Sequence, residues 1–183
     1  MLWEKAKKML YITSDLHFYH KNIIKYCNRP FSTVEEMNEG ILQQFDELPV
    51  GSTIFNLGDL FISWKVSFND IKQLVDRMKN NNKHLWILLG NHDRTCAKFF
   101  KMESNRKVFE ELGFERVFEN PVELDGYLFM HEPAIVKNKK VVYGHVHDTD
   151  ISSILKEEID KTNYFNVCWD KHHRILEEEE LFR

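Results

Sequence analysis

Cysteine is scarce in this chain. Only 3 of 183 residues are cysteine, an odd number, with no CxxC spacing. A paired-cysteine framework is therefore not expected, and Cys27, Cys96 and Cys168 read as reduced, mostly buried thiols in a reducing cytoplasm. Long apolar runs are also missing. None approaches the roughly 18–20 residues that span a bilayer, and Met1-Leu2-Trp3-Glu4-Lys5 holds no apolar signal-peptide core. Pro and Gly number 4 and 7 and cluster nowhere, so there is no flexible linker, and no internal repeat is visible. One domain over residues 1–183 is the expectation, long enough to bury about 70% of its unfolded surface. Positive charge is lacking too. A net charge of −4 argues against broad affinity for nucleic acid, while saying little about a small anionic substrate.

What is present alternates between strand and helix. Ser32 with Glu35 reads as a capping box before Val34, Met37, Ile41, Leu42 and Phe45, which recur at helical spacing. Ser67 and Asp70 repeat the signature before Ile71, Leu74, Val75 and Met78. A third helix is predicted over residues 95–112, stopped by Gly113. From Glu115 short strands follow at 116–118, 122–124, 127–130, 141–143 and 164–168, with Asp125-Gly126 as a hairpin turn. The first half predicts a parallel sheet with crossover helices and the second a mostly antiparallel one. Two packed sheets with helices outside follow. Residues 1–8 suit a short basic amphipathic helix, and the acidic run 177–180 a solvated helix face or frayed tail.

The chemistry gathers at strand ends. Leu85-Trp86-Ile87-Leu88-Leu89 runs into Gly90-Asn91-His92-Asp93, and four other apolar runs end alike: in Asp15-Leu16-His17, Gly58-Asp59, His131, and Gly144-His145-Val146-His147. Open α/β sheets present their chemistry at the carboxyl ends of strands. Asp15-Leu16-His17 and Gly58-Asp59 alone are most simply polar turns and His131 a satisfied or exposed histidine, while two imidazoles on one side of a strand, His145 and His147, need a reason. Together the five strand ends hold five of the nine histidines, beside only carboxylates and an amide, and without cations several buried polar groups would be stranded. A two-metal hydrolase is the expectation, and the metals would supply positive charge that the residue count omits.

In this order the motifs closely resemble the calcineurin-like metallophosphoesterase superfamily, over residues 11 to about 170. The stretch from Ser14 to Phe31, with His20, Lys21, Asn22, Arg29, Pro30 and Phe31, is similar to a small bacterial and phage branch of phosphoesterases. The resemblance implies an α/β fold, a four-layer α/β/β/α sandwich of two mixed sheets flanked by helices. It implies one metal held by Asp15, His17, Asp59 and His147, and a second by Asp59, Asn91, His131 and His145, with Asp59 bridging. His92 would be the free imidazole facing substrate. After Gly58-Asp59 the chain continues Leu60-Phe61-Ile62-Ser63-Trp64 in place of the protein-phosphatase pattern, which argues against a protein phosphatase. It also leaves Asp93 either to orient His92 or to cap the next helix.

The implied reaction is in-line attack on phosphorus by a hydroxide that two divalent ions share and acidify. His92 would stabilise the transition state and protonate the leaving oxygen. The preferred metal is Mn²⁺, with Fe, Zn²⁺ or Ni²⁺ also suited to a mixed carboxylate, amide and imidazole shell. The expected substrate is a small nucleotide-like or cyclic phosphodiester. A phosphomonoesterase and a non-catalytic metal-binding scaffold are the alternatives. A nuclease on long strands is disfavoured by the absence of a basic stripe and of an accessory capping domain. His20, Asn22 and Arg29 could bind the phosphate or leaving group, or Arg29 could sit in a structural salt bridge. Phe61 and Trp64 could stack on a base or close the sandwich edge, and His84, His172 and His173 read as ordinary surface residues.

Overall fold

In the computed structural model, which describes residues 9–62 and 66–182, the apolar runs become strands covered on both faces. β1 (Leu10–Thr13), β2 (Thr53–Asn56), β3 (His84–Leu88) and β4 (Arg116–Phe118) lie parallel in the order β4-β3-β2-β1. Parallel pairing needs crossovers. These carry α1 (Lys21–Tyr26) and α2 (Val34–Glu47) after β1, α3 (Phe68–Met78) after β2, and α4 (Cys96–Phe100) and α5 (Asn105–Leu112) after β3.

The second sheet has the order β5-β6-β7-β8: β5 (Val122–Leu124), β6 (Tyr127–Met130), β7 (Lys140–Tyr143) and β8 (Tyr164–Asn166). β5 and β6 form the expected hairpin, with Asp125 and Gly126 both at positive φ (53° and 84°). The remaining pairs, β6·β7 and β7·β8, are parallel. The expectation of a mostly antiparallel second half is thus corrected. Between β7 and β8 lie α6 (Ile151–Leu155), five residues long, and a 3₁₀ turn (Lys161–Asn163), neither of which left a clear helical period in the sequence.

Side-chain alternation along the strands sorts the apolar residues into layers. Ile54, Leu85 and Ile87 face the helices, meeting Ile41, Phe45, Val75, Val108 and Phe109. Leu10, Ile12, Phe55, Trp86 and Leu88 face the other way, against Phe129, Val142 and Val167 of the second sheet. Met130, Val141 and Tyr143 then pack outward on Val146 and Ile151. Three apolar layers between four structural ones make the α/β/β/α sandwich. No described helix is long and apolar enough to cross a membrane.

Local boundaries differ from expectation in two places. Thr33, not Ser32, caps α2 through Glu36 N–H, and the Glu36 carboxylate accepts the N–H of Ser32 rather than that of Thr33, so the cap sits one residue later and the box does not close. The predicted helix 95–112 breaks at Lys101, whose φ of 56° ends α4, and restarts at the Ser104 cap. Of the two readings of the acidic run, the helix face holds and the frayed tail does not: Glu178–Glu180 form a partly exposed 3₁₀ turn. β9 (Leu176–Glu177) pairs antiparallel with β1, and Glu180 pairs with Arg174. The Ser67–Asp70 box and the Gly113 stop form as expected. The helix expected over residues 1–8 and the role of Trp64 lie outside the described residues.

Candidate metal centre

All the parallel strands of a sheet end at the same edge, so the residues that follow β1, β2, β3, β6 and β7 converge. Each chain segment turns sharply there. Asp15, His17, Asp59, His145 and His147 have φ of 58°, 51°, 53°, 72° and 53°. That left-handed region costs a non-glycine residue about 1–3 kcal/mol and concentrates at functional sites. Neighbouring glycines admit the close approach. A Cβ on Gly58 would lie 2.6 Å from Gly90 Cα and 2.7 Å from His131 Nδ1, and one on Gly144 would collide with Ser14 and Asp15.

Two groups of side chains result. Ligand atoms of Asp15, His17 and His147 lie within 4.8 Å of one another, as do those of Asp59, His131 and His145. Asn91 joins the second group, its Oδ1 3.0 Å from both His131 Nε2 and His145 Nδ1. The Asp59 carboxylate sits between the groups. Its Oδ2 is 3.8 Å from His17 Nε2 and 3.6 Å from His131 Nε2.

The donor set fits divalent cations on a specific test. Asp15 Oδ2 accepts three hydrogen bonds, from Ser14 Oγ (2.5 Å), His145 N–H (2.8 Å) and Cys168 Sγ (3.2 Å). Its other oxygen, Oδ1, is buried with no hydrogen-bond partner, and so are both nitrogens of His17. Burial brings the His17 imidazole down to about 3, so it is neutral with one ring-nitrogen lone pair to offer. Orphaned donors and acceptors of this kind normally cost about 1–3 kcal/mol each unless something ligates them.

Partners outside the two groups fix their orientation. His131 Nδ1 donates to Leu57 O (2.7 Å), which turns Nε2 toward Asn91 and Asp59. His147 Nδ1 donates to Asp170 Oδ2 (2.6 Å) in the same manner. Burial would raise the Asp170 carboxyl, but hydrogen bonds from His147 and Arg29 bring it down to about 2. Asp93 neither orients His92 nor caps a helix by its side chain. It accepts the backbone N–H groups of Asp59, Gly90 and Leu60.

The expected site residues separate into three sets. The seven candidate ligands come together. His92 stands beside them, with its side chain one-third exposed, its N–H on Asp59 Oδ1 (2.9 Å) and its Nε2 3.9 Å from Asp59 Oδ2. Its ring lies within ligand distance of His17 and Asp59 as well. His20 packs edge-on against His17, 5.7 Å between centroids, and Asn22 is exposed on α1. Of the two readings of Arg29, the structural salt bridge forms and the substrate contact is corrected: the residue is buried, with its guanidinium on Asp170 and on the carbonyls of Asp15 and Leu16. Phe61 is fully buried against Phe100 and Phe109, which closes the sandwich rather than offering a stacking face. His84 is exposed beside Glu115, and His172 stacks on Phe165. Asp170 went unnoticed in the sequence. It lies two residues past the predicted strand 164–168, the offset at which Asp59, Asn91 and His145 follow their apolar runs, and that was the available signal.

Comparison with known proteins bears on the family and the fold. A model of the calcineurin-like phosphoesterase family matches residues 9–181. An uncharacterized protein of Methanocaldococcus jannaschii is 28% identical over 193 residues, covering 97% of each chain. A protein of unknown function from Aquifex aeolicus superposes with a TM-score of 0.64 at 21% identity, over 94% of this chain and 96% of that one. The nuclease MPE of Pseudomonas putida gives a TM-score of 0.51 at 20% identity, over 75% of this chain and 61% of the nuclease. At such identities the two solved structures bear on the fold alone.

Proposed function

The chain belongs to the calcineurin-like phosphoesterase family, and from that premise we propose a dinuclear metal-dependent phosphodiesterase acting on small nucleotide-like or cyclic phosphate esters. One observation carries the reading: the Asp59 carboxylate faces His17 on one side and His131 on the other, so a single side chain serves both halves. Asp15, His17, Asp59 and His147 would hold one cation, and Asp59, Asn91, His131 and His145 the other. When bound, the ions supply Lewis acidity toward the phosphoryl group and the attacking water. Manganese is our first choice, with iron, zinc or nickel compatible with the same donors.

The protein's own groups do the rest. Asp59 Oδ1 anchors the backbone of His92 and leaves its imidazole partly open to solvent, where a leaving oxygen can be protonated. His20 borders the His17 side of the centre, and it and Asn22, exposed two residues further on in α1, are proposed to contact the substrate. The shared apolar layer between the sheets supports one domain over the chain. The free cysteines support a cytoplasmic location.

A metal-by-substrate screen tests the proposal. Hydrolysis of a chromogenic phosphodiester should require added divalent metal, exceed that of the corresponding monoester, and stop on chelation. Preference for the monoester would make the protein a phosphomonoesterase. Cleavage of single-stranded DNA alone would make it a nuclease. Inertness toward every ester with every metal would make it a scaffold.

A further inference from the structure

Arg29 and Asp170 form a buried ion pair between the loop after α1 and α7 (Trp169–His172). The guanidinium has five N–H donors, and each meets an acceptor. Nε and Nη2 reach Asp170 Oδ1 (2.6 Å) and Oδ2 (2.8 Å). Nη1 reaches Leu16 O (2.7 Å) and Met37 Sδ (3.3 Å), and Nη2 also reaches Asp15 O (2.7 Å). The Trp169 ring covers the group at 5.0 Å. A buried ion pair adds little stability over apolar residues of equal volume, so stability alone is a weak reason for this one.

Its contacts suggest a better reason. The two carbonyls belong to the turn that presents Asp15 and His17, both left-handed and so in need of external restraint. The second Asp170 oxygen holds His147. The segment carrying Asp170 is itself pinned to that turn, through Trp169 N–H on Ser14 O (2.9 Å), and Asn166 Nδ2 holds the His147 carbonyl (2.7 Å).

We propose that Arg29 and Asp170 are positioning residues for one half of the metal centre: Asp170 fixes His147 through Nδ1 and so presents Nε2, while Arg29 fixes the Asp15–His17 turn. The proposal rests on reading His147 as a ligand. It assigns no role to the pair at the Asn91, His131 and His145 half, which neither residue contacts.

Calorimetric titration of chelator-stripped protein with Mn²⁺ tests it, with thermal melting as the control for folding. Wild type should bind two ions and His147→Ala one. In Asp170→Asn the amide can donate to His147 Nδ1 and push the ring proton onto Nε2. That variant should melt cooperatively, bind one ion about 10–100-fold more weakly, and bind the other within about twofold of wild type. Two wild-type affinities in Asp170→Asn, or equal weakening of both, would overturn the positioning role while leaving His147 a ligand. Two ions retained by His147→Ala would bring down the ligand assignment and the proposal with it. If Asp170→Asn does not fold, wild type loaded with Zn²⁺ and labelled with ¹⁵N-histidine decides. The His147 Nδ1–H should appear as a protected, downfield proton, and its absence would overturn the proposal.

Discussion

The carboxylate of Asp93 accepts the backbone N–H of Asp59 at 2.7 Å, so the residue after one ligand motif holds the loop that carries the other. The same oxygen accepts Gly90 N–H at 2.9 Å, and the second oxygen accepts Leu60 N–H at 3.2 Å. Burial, then the nearby Asp59 charge, raise the Asp93 carboxyl to about 7 despite these amides. Asp93→Asn keeps the shape but places an NH₂ where one or more amides need an acceptor. The substitution should destabilise the fold by about 1–3 kcal/mol, a fall of about 2–12 °C in the melting midpoint for a chain of this size. An unchanged midpoint would show that the two loops hold each other without it.

Metal stoichiometry follows from the two groups meeting at Asp59. Elemental analysis of protein kept from chelators should give close to two divalent ions per chain. Asn91→Ala removes the oxygen that faces both His131 and His145, so it should bring the count toward one. Activity should fall with it, because the second cation supplies part of the transition-state charge stabilisation. Two tightly held ions in Asn91→Ala would mean that its amide is not a ligand.

Gly90 carries no unusual φ, so its role is steric. A Cβ there would collide with the Asp59 carboxylate, come within 2.5 Å of Asp59 N and within 2.8 Å of His131 Cε1. Backbone and a buried imidazole cannot move aside as a flexible side chain would. Gly90→Ala should therefore destabilise the protein by about 1–3 kcal/mol and displace Asp59 from between the two groups. Denaturant unfolding and metal content should change together. A stable variant with full metal content would show that the loops are more compliant than their packing suggests.

What the sequence could convey depended on how local each signal was. The strand-end motifs were legible because each set of ligands is contiguous, from Asp15-Leu16-His17 to Gly144-His145-Val146-His147, and a buried strand dictates where its end must point. The parallel first sheet was legible from long helical periods between strands. The parallel pairing of β6, β7 and β8 was not, since the short β6–β7 connection and the five-residue α6 leave no such period. The role of Arg29 was hidden for a related reason. Its partner Asp170 lies 141 residues away, and the bridge between Ser14 and Cys168, with Trp169 N–H on Ser14 O, brings the two together. Charge pairing across that separation has no local pattern to read.

His92 offers the sharpest test of the chemistry. Its backbone is fixed by Asp59 Oδ1, while its ring is partly open to solvent and 5.4 Å from the ring of His17. If it protonates the leaving oxygen, His92→Ala should retain both metal ions and the wild-type melting midpoint while losing about 10²–10⁴-fold in rate. The loss should shrink for esters with very acidic leaving groups, which depart without a proton. The geometry also permits the rival assignment, because His92, His17 and Asp59 are close enough to share an ion. Loss of one metal in His92→Ala would make His92 a ligand. Full activity on an ester with a poor leaving group would remove it from the reaction altogether. Only the combination of intact metal content with a leaving-group-dependent rate loss matches a general acid.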